Sequence, residues 1–175
     1  YTGAKYAIAC SSATSALFIS LKILGVKRDE EVIVPTLTFI APVNTIKYLG
    51  AEPIFMDSDE FCNIDVNKTI EFIENETEFK NNFSYNKTTG KIIRAILPVH
   101  VFGNAVDLER LQNICYERKI LILEDASESL GSFYTRGKFK GQHTGSLGHM
   151  GCISFNGNKI LTSGGGGMII SNNEE

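Results

Sequence analysis

The feature that most constrains this chain is a repeated alternation of short apolar runs with longer helical patterns. The runs at Glu31–Pro35, Ile92–Pro98 and Ile120–Leu123 have strand length, and such runs are typical of strands buried on both faces. We predict further strands at Tyr6–Ala9, Pro53–Met56 and from Gly167, and helices at Ser12–Leu24, Pro42–Leu49, about Val66–Glu74 and Val106–Arg118. This order predicts an α/β fold in which helices flank a mostly parallel sheet.

The segment from Glu76 to Thr89 interrupts this pattern. It is polar, and we predict that it forms an exposed insertion or a long hairpin. No interior linker is long enough to divide the chain, and its composition, with 43% hydrophobic and 21% charged residues, is that of a packed globular domain. We therefore predict one domain over residues 1–175.

Charge and cysteine spacing argue against several classes of protein. The net charge is −3, and no stretch alternates basic with aromatic residues, which argues against a nucleic-acid partner. No window has the apolar length of a membrane span, and Tyr1–Lys5 does not resemble a signal peptide, so we predict a cytoplasmic protein. The cysteines are widely spaced, which predicts reduced thiols and neither a metal site nor a disulfide framework; they are Cys10, Cys62, Cys115 and Cys152.

Polar and aromatic residues that follow the apolar runs are candidates for ligand binding, because ligands of open α/β sheets lie beyond the carboxyl ends of the strands. The hydroxyl and N–H groups of Cys10–Ser15 suit either helix capping or phosphate binding. Asp125 follows a buried run, so it either meets a cation, such as a metal or a protonated ring nitrogen, or caps the next turn. Phe39 is either a core side chain or a ring that stacks on a flat cofactor.

Lys159 and the four consecutive glycines Gly164–Gly167 form the most informative segment. A glycine run loses backbone entropy on folding and indicates a conformational or close-approach requirement. The segment is not a P-loop, since Lys159 stands between Asn158 and Ile160, and the chain has no G-x-G-x-x-G motif. A phosphate cradle, a stacking ring, a strand-end acid and a lysine are together the groups that a pyridoxal-phosphate (PLP) enzyme requires.

Five motifs resemble, in family order, those of the DegT/DnrJ/EryC1/StrS family of PLP-dependent sugar aminotransferases. They lie at Ser11–Leu17, Glu31–Phe39, Pro98–Gly103, Glu124–Ala126 and Ser154–Lys159 with the glycines after it. The resemblance implies fold type I, the aspartate-aminotransferase-like architecture. Residues 1–175 would form its PLP-binding large domain, truncated so that an N-terminal segment and a C-terminal small domain lie outside the chain. Asp125–Gly131 is similar to the LegC-like branch, whose members aminate nucleotide-linked 4-keto-6-deoxy amino sugars.

Residue by residue, the resemblance implies the following roles for this sequence. Lys159 would form the imine with PLP, and Asp125 would face the pyridine nitrogen. Ser154, Thr14 and Ser15 would hold the phosphate.

Two further residues of the implied site carry less specific roles. Phe39 would stack on the cofactor ring. Glu128 stands where many members have Gln or His near the cofactor's oxygen, and its charge distinguishes it from them. His100 belongs to a family motif, and we assign it no catalytic role.

The implied reaction is transamination of a nucleotide-linked 4-keto-6-deoxy sugar with glutamate as amino donor, for surface-glycan or nonulosonic-acid-type sugar biosynthesis, by a homodimer. A dehydratase branch of the family replaces the lysine with histidine, so Lys159 favours transamination. A noncatalytic or regulatory fragment is a second alternative, which the retained Lys159 and Asp125 argue against. A plain nucleotide-binding domain is a third, which would leave the glycine run unexplained.

Overall fold

A computed structural model describes residues 1–174 as one α/β domain. The strands are β1 (Tyr6–Cys10), β2 (Glu31–Pro35), β3 (Glu52–Met56), β4 (Thr77–Lys80), β5 (Phe83–Asn86), β6 (Ile92–Ile96), β7 (Leu121–Asp125), β8 (Met150–Ser154) and β9 (Gly167–Ser171). The helices are α1 (Ala13–Ile23), α2 (Ile40–Tyr48), α3 (Val66–Asn75) and α4 (Leu108–Glu117), with a 3₁₀ turn at Val101–Gly103. Within the described residues, no helix has the length and apolar character needed to cross a membrane.

The sheet has the strand order β1-β9-β8-β7-β6-β2-β3. Strands β3, β2, β6, β7 and β8 run parallel to one another, whereas β9 runs antiparallel to both β8 and β1. The predicted mostly parallel sheet is therefore confirmed. Because parallel strands end at the same edge, the segments after β2, β7 and β8 meet there.

Two apolar cores cover the two faces of this sheet, and β2 shows how one strand serves both. Val32 and Val34 pack into the core that contains the buried residues of α1 and α2, while Ile33 packs into the core that contains those of α3 and α4. Every residue of β2 is buried. Burial of one such aliphatic side chain stabilises a fold by roughly 1.5–3 kcal/mol, so the continuous apolar runs hold the helices against the sheet.

Strand β8 was not among the predicted strands, and its sequence explains the omission. Met150–Ser154 contains Gly151, and a Cβ at that position would overlap the carbonyl oxygen of Gly145. The close approach requires glycine in the middle of the strand, and glycine weakens the apolar pattern by which a strand is recognised. Strand β7 also extends further than predicted, and its last residue is Asp125.

The edge strand and the polar segment differ in part from the sequence-based picture. β1 lies at the edge of the sheet and is largely exposed, so burial on both faces does not extend to it. The segment from Glu76 forms the β4–β5 hairpin, turning at Asn81 and Asn82 with positive φ angles. The predicted hairpin is confirmed, but it also extends the sheet, since β5 pairs antiparallel with β6 through Ser84 and Ile93.

His149 replaces a missing strand partner just before β8. The ring Nδ1 of His149 accepts a hydrogen bond from the Ile122 backbone N–H at 3.0 Å, and the backbone N–H of His149 donates to the Ile122 carbonyl at 2.9 Å. Burial lowers the pKa of His149 below its ordinary value of 6.5, and burial lowers the pKa of His143 as well. Both imidazoles are therefore harder to protonate in the folded chain than in the unfolded one.

We expect the free energy of unfolding to fall as the pH drops through about 6.5, because the unfolded chain then binds protons that the buried imidazoles refuse. The loss should be complete below the lowered pKa values of the folded state. Urea unfolding at pH 7.5 and 5.5 measures it. His149→Gln, which keeps an acceptor for the Ile122 N–H, should show a smaller pH dependence, and equal pH dependence in both proteins would contradict the assignment.

Candidate functional site

A cavity of about 250 Å³ opens at the carboxyl edge of the parallel strands. Five segments line it: the start of α1, the start of α2, the residues after β6, the end of β7 with the residues after it, and the connection between β8 and β9. Its walls include Ser11, Ser12, Thr14, Phe39, Val99, Asp125, Ser127, Glu128, Ser154, Asn156, Asn158, Lys159, Gly165 and Gly166. The volume far exceeds the roughly 30 Å³ of one water molecule, so a small organic ligand can enter.

The start of α1 combines the two roles that the sequence left open. Ser12 is the N-cap, and its hydroxyl accepts a hydrogen bond from the Ser15 N–H at 3.0 Å. Ser12 and Thr14 also line the cavity, so the positive end of the helix dipole lies at the cavity wall, where it favours an anion such as phosphate. The Ser15 hydroxyl instead bonds to the Ser11 and Ser12 hydroxyls, and Ser15 is not among the lining residues.

Asp125 ends β7 as a buried side chain that faces the cavity. Burial raises the pKa of its carboxyl group above the ordinary value of 3.8, and hydrogen bonding to Ser127, whose N–H donates at 3.0 Å, and the charge of Lys159 oppose that rise. A cation placed in the cavity would favour the ionised form further. The geometry fits the predicted role of Asp125 opposite a protonated ring nitrogen.

The Lys159 side chain lies in the same cavity and is only 14% exposed. Its Nζ is 3.1 Å from Oε1 of Glu128 and 5.9 Å from the centre of the Phe39 ring. Phe39 is 70% exposed and lines the cavity, so it is not a core side chain. The structure thus places the amine, the aromatic ring and the carboxylate of Asp125 around one space, and the amine does not point into bulk solvent.

Glu128 is held by both of its carboxylate oxygens. Oε1 accepts from Lys159, and Oε2 accepts from the Phe102 N–H at 3.1 Å. Burial alone raises the pKa of Glu128, but the Phe102 hydrogen bond and Lys159 outweigh it, so the pKa lies below its ordinary value. Glu128 is therefore ionised at neutral pH and forms an ion pair with Lys159.

The glycine run has the kinds of structural cause that its sequence indicated. Gly164 and Gly166 have φ angles of +83° and +112°, which side chains rarely adopt. Gly167 packs so closely against the backbone of Ser12 that a Cβ would overlap it. Gly165 differs from these three, since its φ angle is not positive and a Cβ there meets nothing within 4 Å. The run lets the β8–β9 connection approach the start of α1 and close the cavity.

We expect Gly167→Ala to lower the free energy of unfolding by roughly 1–3 kcal/mol, because the added methyl group forces β9 away from the α1 start. Gly165→Ala is the matched control, and it should change stability by less than about 1 kcal/mol. Chemical denaturation of the two variants measures the difference. Equal stabilities would show that the close approach does not constrain the fold.

Sequence reasoning missed a buried network beneath the site. Glu124 is fully buried, and its carboxylate accepts four hydrogen bonds, one from His100 Nε2 at 2.9 Å and three from the N–H groups of Gly145, Leu147 and Gly148. His100 Nδ1 accepts from the Val106 N–H at 3.1 Å, so Nε2 carries the proton that Glu124 receives. His100 is not among the residues that line the cavity. The signal was the pair of adjacent acids at positions 124 and 125.

Three polar side chains in the cavity wall were also absent from the predicted set. They are Ser127, Asn156 and Asn158, and the Asn156 amide donates to the Asn158 side chain at 3.1 Å. Their proximity to the predicted residues in sequence was the available signal. Only the folded connection shows that these side chains line the cavity.

The model of the DegT/DnrJ/EryC1/StrS aminotransferase family matches residues 1–175. The chain belongs to this family. The family therefore accounts for the fold.

Comparison with individual proteins agrees with this assignment. The chain is 40% identical over 170 residues to GDP-perosamine synthase of Escherichia coli O157:H7, covering 97% of the chain and 41% of that protein. The structure of a family aminotransferase from Brucella abortus has a TM-score of 0.86 at 30% identity, covering 99% of the chain and 43% of that structure. The E. coli GDP-4-keto-6-deoxy-D-mannose-3-dehydratase with bound hydrated PLP has a TM-score of 0.79 at 25% identity, with 99% and 41% coverage. The chain thus spans about two fifths of the length of these relatives.

Proposed function

We propose that the full-length protein containing this chain is a PLP-dependent aminotransferase that transfers the amino group of glutamate to a nucleotide-linked 4-keto-6-deoxy sugar. The observation that carries the proposal is the Lys159 amine, which lies in one cavity with the buried Asp125 carboxylate and the start of α1. A lysine, a buried acid and a helix start are the groups that hold PLP in an enzyme. The similarity to GDP-perosamine synthase supports a sugar nucleotide as substrate.

The cavity residues fit PLP on the basis of their chemistry. The first N–H groups of α1, with Thr14 there and Ser154 at the end of β8, would hold the phosphate, as the positive helix end favours an anion. Asp125 would face the ring nitrogen, and Phe39 would lie against the ring. Among the predicted phosphate residues, Thr14 and Ser154 line the cavity, while Ser15 does not and bonds instead to the Ser11 and Ser12 hydroxyls.

The chain's own residues would divide the chemistry between them. Bound PLP supplies a ring that accepts electrons from the amino-bearing carbon. Asp125 would hold a proton at the ring nitrogen. Lys159 would bind the cofactor covalently and, once its amine is released, move a proton at the substrate carbon, since its side chain lines the cavity.

The lysine separates transamination from dehydration within the family. The shared fold cannot do so, because a dehydratase is among the structures that the chain resembles. In the dehydratase branch a histidine is expected at this position, whereas this chain has Lys159 with its amine in the cavity. A primary amine can both hold the cofactor and carry protons, which transamination requires.

We further propose that the protein is a homodimer with its sites at the interface, and that it resides in the cytoplasm. Large apolar side chains in or beside the segments that line the cavity are exposed in the single chain. They are Leu37, Phe39, Ile40, Phe102, Ile160 and Leu161. Exposed large apolar side chains of this kind are typical of a protein contact, and a second copy would cover them.

We expect the full-length protein to be yellow, with a visible absorbance that shifts on addition of glutamate. Lys159→Ala should abolish the band of covalently held PLP, because no other primary amine replaces it in the cavity wall. Lys22→Ala, at the exposed end of α1, is the matched control and should keep the spectrum. An unchanged spectrum in Lys159→Ala would overturn the assignment of the lysine.

We expect the full-length protein to form an amino sugar when it is given glutamate and a nucleotide-linked 4-keto-6-deoxy sugar. Mass spectrometry of the products from a panel of GDP-, UDP- and dTDP-linked keto sugars identifies the substrate, and Lys159→Ala should lower the yield at least about a thousandfold. A deoxygenated product without nitrogen would assign the protein to the dehydratases. A protein that binds PLP but converts no sugar of the panel would support the noncatalytic alternative.

A further inference from the structure

Glu128 occupies a position between the reactive amine and the backbone of a neighbouring turn. Its Oε1 is 3.1 Å from Lys159 Nζ, and its Oε2 is 3.1 Å from the Phe102 nitrogen. Neither the phosphate cradle nor Asp125 requires this bridge. Both carboxylate oxygens of Glu128 accept hydrogen bonds from the protein itself, and one of the two donors is the Lys159 amine.

The turn that carries Phe102 is held in an uncommon conformation. Phe102 has a φ angle of +53°, and its side chain is 78% exposed, so packing of the ring does not explain the conformation. The buried Asn63 fixes the turn on both sides, accepting from the Val101 N–H and donating to the Asn104 carbonyl, each at 3.2 Å. These contacts direct the Phe102 N–H towards Glu128.

Three groups surround the Glu128 carboxylate or its partner lysine. Lys159 is its cationic partner, the Phe102 N–H is its second donor, and Asp125 lies within electrostatic reach of the same lysine. Lys159 therefore faces two carboxylates, and the one in direct contact belongs to Glu128.

We propose that Glu128 is a positioning residue that holds the Lys159 amine in the cavity as an ammonium ion, so that this ion pair must open before the lysine can bind PLP covalently. The proposal rests on the proposed function, in which Lys159 is the PLP lysine. An ammonium ion has no lone pair with which to attack an aldehyde, so the amine must lose its proton first. Glu128 thereby keeps the lysine inside the cavity and slows its loading.

The test is the rate at which the apo form of the full-length protein attaches PLP covalently. The rate is followed by visible absorbance, and the attachment site is confirmed by borohydride reduction and peptide mass spectrometry. In Glu128→Gln an amide oxygen can still accept from the Phe102 N–H, but the charge is lost. We expect attachment at pH 7 to become roughly threefold to tenfold faster, because the ion pair no longer has to open. Glu74→Gln, on the exposed surface of α3, is the matched control and should behave as the wild type.

Glu128→Ala separates the effect of charge from that of hydrogen bonding. It should show the same acceleration as Glu128→Gln, with circular dichroism confirming that both variants are folded. Wild-type rates in Glu128→Gln, or slower attachment in both variants, would overturn the proposal while leaving Lys159 as the PLP lysine. A wild-type protein that is not labelled at Lys159 would overturn the proposed function and this inference together.

Discussion

The parallel pairing of β7 with β8 is the constraint on which the site depends. It aligns Asp125 with Cys152, so that β7 ends with its acid beside the strand that leads to Ser154 and Lys159. Side chains separated by more than thirty positions in the chain thereby share one cavity wall. The antiparallel return of β9 then brings the glycine run to the start of α1, where Gly166 pairs with Ser12. The acid, the amine and the helix end are thus consequences of one piece of sheet topology.

The two adjacent acids at the end of β7 show how burial divides structural from chemical roles. Both carboxyl groups are removed from water, which costs several kcal/mol for an isolated charge. Glu124 accepts four hydrogen bonds and so has its charge compensated within the protein. Asp125 accepts from Ser127, and burial still raises its pKa. The Asp125 carboxylate lines the cavity, where a cationic ligand would stabilise its charged form.

Lys159 and Glu128 form an ion pair in the wall of the same cavity. Their separation of 3.1 Å and the partial burial of both side chains make this contact stronger than the exposed pairs of the domain. Such a pair orders a long, flexible side chain that would otherwise move freely. The Phe102 N–H, in the turn that Asn63 holds, donates to Glu128 and so fixes the position of the ion pair, while the Phe102 ring itself is exposed.

The fold class could be predicted from the sequence alone, and every predicted site residue except Ser15 lines the cavity. Continuous apolar runs indicate buried parallel strands, and Lys159 with the glycine run after it, together with the other motifs, indicates a PLP site. The tertiary structure decided what no local pattern contains: the hidden strand β8, the exposure of β1, the engagement of Ser15 by its neighbours and the bond between Glu128 and Lys159. These features depend on distances between segments far apart in the chain. Local composition determines which residues become strand or helix, whereas packing and strand order determine which of their side chains meet.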